Sequence, residues 1–483
     1  VPPDWFFAAD YSLARLLFAR GVALIYLVAF ISSVRQFRGL LGHNGVTPIR
    51  RFVAARTFRQ APSIFQFRYS DGYFATASWA GVVVSAALLL GGGDFLPVVA
   101  TMSCWLVLWI IYVSIINVGQ IWYGFGWESL LAETGFLAIF LGSGTFVPAA
   151  PMLWLVWWLL FRLEFGAGLI KMRGDRCWKD LSCLFYHHET QPMPGPLSWH
   201  FHHLPKPLHR IEVATNHATQ LLVPFLLFAP PPVRTVAAVV IAVTQFWLVI
   251  SGNFAWLNAL SIVLTLSALD NGVLRFVLPL ATPTTYPPLW YDIAVAVVFV
   301  VCVALSYFPV RNMVGPGQIM NRSFNKVHLV NTYGAFGSIT RLRHEIVIEG
   351  TYDRTLTPDT DWRVYEFRGK PGDPTRRPRQ FAPYHLRLDW LMWFAALGSR
   401  HSRVWMTPFI DKLLKGEPDV LRLLRHNPFP DRPPVFVRAR MYRYRYTSRA
   451  ERKATKAWWH RELLGDYRKP VRLRLPTDPR STT

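Results

Sequence analysis

Apolar residues in this chain gather into long blocks that end near residue 310, and beyond that point the pattern changes to short alternating runs. A membrane-crossing helix needs roughly 20 apolar residues. Nine blocks approach that length: 12–34, 73–91, 96–116, 129–147, 152–171, 213–229, 233–250, 254–269 and 289–309. Block 129–147 loses its apolar character at Gly142-Ser143-Gly144, which suits a re-entrant hairpin, and block 254–269 is short. The pattern predicts a polytopic α-helical membrane protein of about eight to nine transmembrane segments over residues 1–310. A soluble α+β or β-rich domain is expected over 311–450, and a basic tail over 451–483.

If all nine blocks cross, parity places loop 35–71, loop 172–212 and everything after the last block on one side. Those three regions would form one working face; if block 129–147 does not cross, loop 35–71 is separated from the other two. In the soluble part, His344–Glu349 and Val364–Phe367 read as strands, and Asp389–Leu397 and Ile410–Leu424 as helices. Val435–Thr447 reads as a strand whose apolar phase changes. Val435, Val437, Ala439 and Met441 share one parity, whereas Tyr442, Tyr444 and Tyr446 take the other. One face cannot stay buried through such a change, so a β-bulge or strand break is predicted near Met441–Tyr442. The tail is expected to begin as helix and continue extended.

Composition narrows the classes. With 52% hydrophobic and 17% charged residues the chain is too apolar for disorder, and four Cys exclude a disulfide-dense scaffold. The net charge of +23 is unequally divided: residues 311–483 hold 34 Lys and Arg against 16 Asp and Glu, a net of +18. Such a basic module beside a membrane suits anionic headgroups or an acidic partner. It carries no zinc finger, RNP motif or basic zipper, so nucleic acid is not an expected partner. No Gly-x-Ser-x-Gly elbow, P-loop or dinucleotide fingerprint occurs, which leaves common hydrolase, ATPase and nicotinamide chemistry without support. The excess of Arg over Lys suggests a GC-rich genome and a bacterial plasma membrane rather than the endoplasmic reticulum. The first apolar block is expected to stay as a signal anchor. Loop 35–71 carries seven Arg against Asp71, and the positive-inside rule would hold that loop in the cytoplasm.

Charges inside a bilayer are costly and mark function or helix-orienting networks. In Phe161–Lys171, Glu164, Gly168 and Lys171 fall at i, i+4 and i+7 and share one helix face. Glu164 and Lys171 stand two turns apart, roughly 10 Å, too far for a direct pair. Arg162 points elsewhere and needs its own partner, and Gly166 and Gly168 permit close approach of a neighbour. A buried orienting network, a proton-handling or ligand site, and a snorkelling Lys171 all remain open readings. Asn117, Gln120, Glu128 and Glu133 form a second polar group around Trp122–Trp127. It reads either as an interfacial belt with caps or as groups facing Arg162 and Lys171. Glu212, Asn216 and Gln220, with His217 beside them, form a polar stripe of the kind that joins helices. Loop 172–212 holds Cys177, Cys183, His187, His188, His200, His202, His203 and His209. The histidine spacing matches no zinc pattern, so no metal site is expected; Cys177 and Cys183 are candidates for a local disulfide outside the cytoplasm. Cys104 and Cys302 are expected as free thiols.

Long ordered strings carry a resemblance. They are Asn117-Val-Gly-Gln120, Phe125–Phe140, Leu160–Trp178, Tyr186–Pro194, Asn216-His217 and Ser251-Gly-Asn253 in the apolar part. Asn331–Gly337, Glu366–Pro374, Leu388-Asp-Trp390 and Asn427–Asp431 follow in the soluble part. With these strings the chain resembles the lipase maturation factor family from about residue 40 to 447. The resemblance implies a membrane protein that assists folding, assembly or export of a secreted or envelope client, with its loops and C-terminal domain outside the cytoplasm. Client contact would then involve Asn117, Gln120, Glu128, His187, His188, Glu189, Asn216, His217 and Asn253. The family is similar in turn to the wider HTTM fold, which includes the vitamin K-dependent carboxylase. There Ala167-Gly-Leu-Ile-Lys171 sits comparably to a string bearing the catalytic lysine. That implies an alternative, a membrane enzyme acting on a lipid or quinone, with Lys171 as base and Glu164, Arg162 or Glu133 tuning it. A structural subunit of an envelope complex is the third reading. No cofactor is expected beyond a bound lipid or quinone.

Overall fold

The computed structural model describes residues 3–400 and 402–473. Walking the chain, the main helices are α1 (Ala9–Leu41), α2 (Asp71–Leu89), α3 (Val98–Val118), α4 (Gly126–Ile139), α5 (Ala150–Arg173), α6 (Leu184–Thr190), α7 (Lys206–Leu221), α8 (Val233–Ser251), α9 (Leu257–Leu266), α10 (Leu289–Val314) and α11 (Arg387–Ala396). Among the described residues six helices, α1, α2, α3, α5, α8 and α10, are long and apolar enough to cross a membrane. The protein is an integral multi-pass membrane protein.

The expected count of eight to nine spans is not confirmed. Block 129–147 becomes α4, which has 14 residues and stops before Gly142, a residue at positive φ. Block 213–229 is divided: its first half belongs to the amphipathic α7, and Pro224 then lies in a 3₁₀ turn, Val223–Phe228. Block 254–269 yields only the ten residues of α9. These three fall short of the length of a full span, because Gly and Pro end a helix that hydropathy would continue.

The soluble part is built on a four-stranded antiparallel sheet in the order β2 (Arg363–Val364), β1 (Arg343–Thr351), β3 (Phe436–Tyr446), β4 (Trp459–Val471). The region expected to be a tail contributes a short helix, Arg449–Thr455, and then β4; the tail beyond residue 473 lies outside the described residues. The phase change in β3 has a clear origin. Its ladder with β1 is unbroken from Arg343↔Tyr444 to Thr351↔Phe436. On the other side the register shifts between Met441↔Gly465 and Tyr442↔Leu463, so the extra residue, Leu464, lies in β4. Gly465 supplies the positive φ of 143°. Val437 and Ala439 are buried in the main core, while Tyr444 and Tyr446 are buried with Trp199, Trp458 and Trp459 in a second one. Two cores bury alternate parities of one strand. The main core is continuous from Phe30 and Tyr112 among the membrane helices to Ile346, Val437 and Met392 in the soluble domain.

Candidate functional site

Each charged group that the sequence singled out inside the apolar region is met by residues from another element. Glu133 on α4 forms a buried ion pair with Arg162 on α5. The rest of its carboxylate is claimed by the soluble part: Oε2 accepts from the Asn331 backbone N–H at 2.9 Å, Asn331 Nδ2 at 2.8 Å and the Tyr333 hydroxyl at 2.7 Å. Arg162 also donates to the Asn331 carbonyl at 2.6 Å. Gly166 explains how that strap comes so near, since a Cβ there would meet the Tyr333 carbonyl oxygen at 2.5 Å.

Glu128, one turn earlier on α4, holds the soluble domain at a second point. Arg387 at the start of α11 reaches Oε1 at 2.6 Å and the Trp122 carbonyl at 2.7 Å, with its guanidinium 3.5 Å from the Tyr123 ring centroid. Tyr112 donates to the other carboxylate oxygen. His385 stands 3.6 Å from Glu128, and burial pushes its imidazole down to about 4. Gln36 completes the joint, accepting from the Arg387 backbone N–H at 3.1 Å and donating to the His385 carbonyl at 2.7 Å.

Glu164 and Lys171 share a face of α5, as the spacing predicts, and no direct pair forms. Gln220 on α7 spans them, accepting from Lys171 Nζ at 2.7 Å and donating to Glu164 at 3.4 Å. Asn216 also accepts from Lys171, at 2.8 Å, and the ammonium lies 5.0 Å from the Trp178 ring. Gln245 on α8 donates to Glu164 at 2.6 Å and accepts from Asn258 on α9 at the same distance. One polar chain thus joins four helices. Gly168 makes room for it: a Cβ there would meet the Gln220 Cβ at 2.9 Å. The Glu133–Arg162 and Glu164–Lys171 networks leave α5 on opposite sides, as their angular separation requires.

In loop 172–212 Cys177 and Cys183 are disulfide-bonded, with Cα atoms 4.8 Å apart. Cys104 and Cys302 are free. Trp178 inside this hairpin donates to the Phe336 carbonyl at 2.8 Å, and His217 contacts the Trp178 carbonyl at 3.0 Å. Glu189 accepts from the Tyr446 backbone N–H at 2.8 Å, and burial raises its carboxyl above the ordinary value. His187 is buried against Phe254 and Phe336, and burial drives it down to about 3. Asn253 ties the Pro/Gly loop down by donating to the Pro194 and Arg379 carbonyls and accepting from the Phe381 and Ala382 N–H groups. Asn117 donates to the Pro62 and Lys326 carbonyls, and Gln120 to the Thr47 carbonyl.

Sequence reasoning missed the partners on the soluble side: Asn331, Tyr333, His385 and Arg387. It also missed the fully buried Arg343, which pairs with Glu345 and donates to the Glu189, Gln191 and Pro192 carbonyls. Lys370 binds the same Glu345 at 2.9 Å. Several of these lie in or beside the strings quoted for the family resemblance, which was the available signal.

Residues 13–276 match the family described as the Lipase maturation factor transmembrane domain, and residues 329–469 match its C-terminal domain. The chain belongs to the lipase maturation factor family. Human Lipase maturation factor 1 is 38% identical over 509 residues, covering 98% of this chain and 90% of that protein. Its bovine counterpart is 39% identical over 503 residues, 96% of this chain and 90% of that one. Rat Lipase maturation factor 2 is 30% identical over 601 residues, 97% of this chain and 84% of that one. No solved structure matches. These relatives are animal proteins, so a bacterial plasma membrane finds no support in them. The family's C-terminal domain begins and ends later than the 311–450 expected from hydropathy, and it takes in most of β4.

Proposed function

We propose that this chain is a membrane-embedded maturation factor that assists folding and assembly of a lipase client and its release for export. The observation that carries this reading is the near end-to-end likeness to proteins named for lipase maturation, across both domains. The geometry agrees with it. Glu133, Glu128, Glu164 and Lys171 have their polar atoms engaged by other parts of the protein, which suits fasteners better than acid, base or nucleophile. The soluble domain is thereby held on the helix bundle as a fixed platform.

Loop 35–71 meets the C-terminal domain through Gln36 and lies with loop 172–212 on one working face outside the cytoplasm, an arrangement that needs at least the shorter α4 to carry the chain back across the bilayer. The Cys177–Cys183 disulfide supports that side, because such bonds persist in oxidising compartments. The exposed Arg50, Arg51, Arg56, Arg59 and Arg68, with the basic C-terminal domain, offer positive charge to an acidic client surface or anionic headgroups. Bilayer acyl chains fit the apolar groove of about 310 Å³ lined by Met102, Leu106, Phe136 and Trp290.

Pulse-labelling in cells expressing the chain with a dimeric lipase tests the reading. Newly made lipase should co-purify with it in mild detergent and dissociate during the chase. A stable stoichiometric partner with no lipase association would refute it in favour of a structural subunit.

A further inference from the structure

Loop 172–212 holds a second feature that the fastening networks do not use. His188 on α6 and His209 and Glu212 on α7 converge, so that one donor atom from each lies within 4.8 Å of the other two. Glu212 Oε2 stands 3.9 Å from His188 Nε2 and 3.8 Å from His209 Nδ1. Both imidazole side chains are 2% exposed, and neither ring nitrogen of either residue has a hydrogen-bond partner. Four orphaned nitrogens in one buried spot are unusual, since an unsatisfied buried polar group is costly and is normally paired. The carboxylate is already aimed: Glu212 Oε1 accepts from Trp247 Nε1 at 2.7 Å, which leaves Oε2 facing the two rings. An outer-shell donor of this kind orients metal-binding carboxylates.

We propose that His188, His209 and Glu212 bind a divalent zinc ion. Two imidazoles and one carboxylate form a three-ligand zinc set with one position open to water. With metal–ligand bonds of about 2.0–2.1 Å, tetrahedral donors sit roughly 3.4 Å apart. The 3.8–3.9 Å spacings from Glu212 need to contract by about 0.5 Å, and the third pair, which lies within 4.8 Å, by up to about 1.4 Å, so side-chain rotation closes the set. The same donor set also suits ferrous iron. The disulfide at Cys177–Cys183 opens the segment that leads into α6, and an oxidising compartment favours a metal without redox chemistry. The ion would pin α6, which carries Glu189 and its contact to β3, onto α7, which carries Gln220 and its contact to Lys171. It would join the client-facing loop to the polar chain among the membrane helices.

Metal analysis of the full chain, purified in mild detergent without chelator, tests this. The expected result is about one zinc per chain, lost in His209→Ala and in Glu212→Gln. Because these variants could also lower the folded yield, a second measurement uses the wild-type chain stripped by chelator. Cobalt(II) added to it should give the visible absorption of a four-coordinate site, saturating at one equivalent and displaced by zinc. Zinc should raise its Tm, and Glu212→Gln should abolish that rise. Substoichiometric zinc with no cobalt spectrum would overturn the proposal. So would a Tm rise of equal size in wild type and variants.

Discussion

Arg387→Met is the sharpest test of the idea that intramembrane carboxylates exist to fasten the soluble domain. Arg387 and Glu128 are both 0% exposed at the side chain. The substitution keeps the volume of the stem but removes the 2.6 Å contact to Glu128, the 2.7 Å bond to the Trp122 carbonyl and the face contact with Tyr123. Glu128 is then left with Tyr112 and the fully buried His385, whose charged form burial disfavours. Breaking a buried pair by removing one partner costs about 3–5 kcal/mol, mainly because the remaining charge stays buried. Glu128→Gln added to Arg387→Met removes that charge, so the double variant should recover about 2–3 kcal/mol of the loss. Equilibrium unfolding of the four proteins in mild detergent measures the cycle, and trypsin sensitivity of the α11 region reports the same joint opening. Arg387→Met within about 0.5 kcal/mol of wild type, or strict additivity in the cycle, would refute the fastening argument.

Other outcomes follow from the same contacts. Asn331→Ala removes the side-chain amide donor to the buried Glu133, leaving the backbone N–H in place, and should cost about 1.5–3 kcal/mol in the same unfolding measurement. Lys171→Met should lower the amount of folded protein, while lipase secreted per unit of that protein stays unchanged; complete loss of secretion at normal protein levels would favour the enzyme reading. Replacing both Cys177 and Cys183 with Ser should cost about 2 kcal/mol, the loop-closure value for so short a ring, and should make wild type alone sensitive to reductant. Burial pushes His328 and His385 down to about 4 from an ordinary 6.5, so the unfolded chain takes up their protons first as pH falls. Stability should therefore be full above pH 6.5 and decline toward pH 4, by about 2 kcal/mol per histidine between pH 6.5 and 5. Thermal scans across that range, with His385→Phe flattening the slope, check the sign.

Much of this was legible in the residues, and the failures share a cause. The 3.6-residue period placed Glu164, Gly168 and Lys171 on one face and sent Arg162 the other way, and both networks obey it. The parity change in β3 announced the bulge, although pattern alone could not say that the extra residue would be Leu464 across the ladder. The span count is not confirmed where Gly142 and Pro224 interrupt apolar runs, because hydropathy measures burial and not helical continuity. The pairing of Glu133 with Arg162 was among the readings, but the soluble-domain partners of Glu128 and Glu133 were invisible, being some 200 or more residues away: Asn331 is 198 positions from Glu133, and Arg387 is 259 from Glu128. The convergence of His188, His209 and Glu212 escaped because one turn of α7 meets a separate helix, a placement that no local spacing motif encodes.

Secretion gives the most direct test of the proposed maturation of a lipase client. Cells lacking their own lipase maturation factors would receive this chain together with a dimeric lipase, and active lipase in the medium would be compared with total lipase made. The active secreted fraction should rise several-fold over vector and fall back with Arg387→Met. An unchanged fraction, with the chain present at normal level and folded, would contradict it.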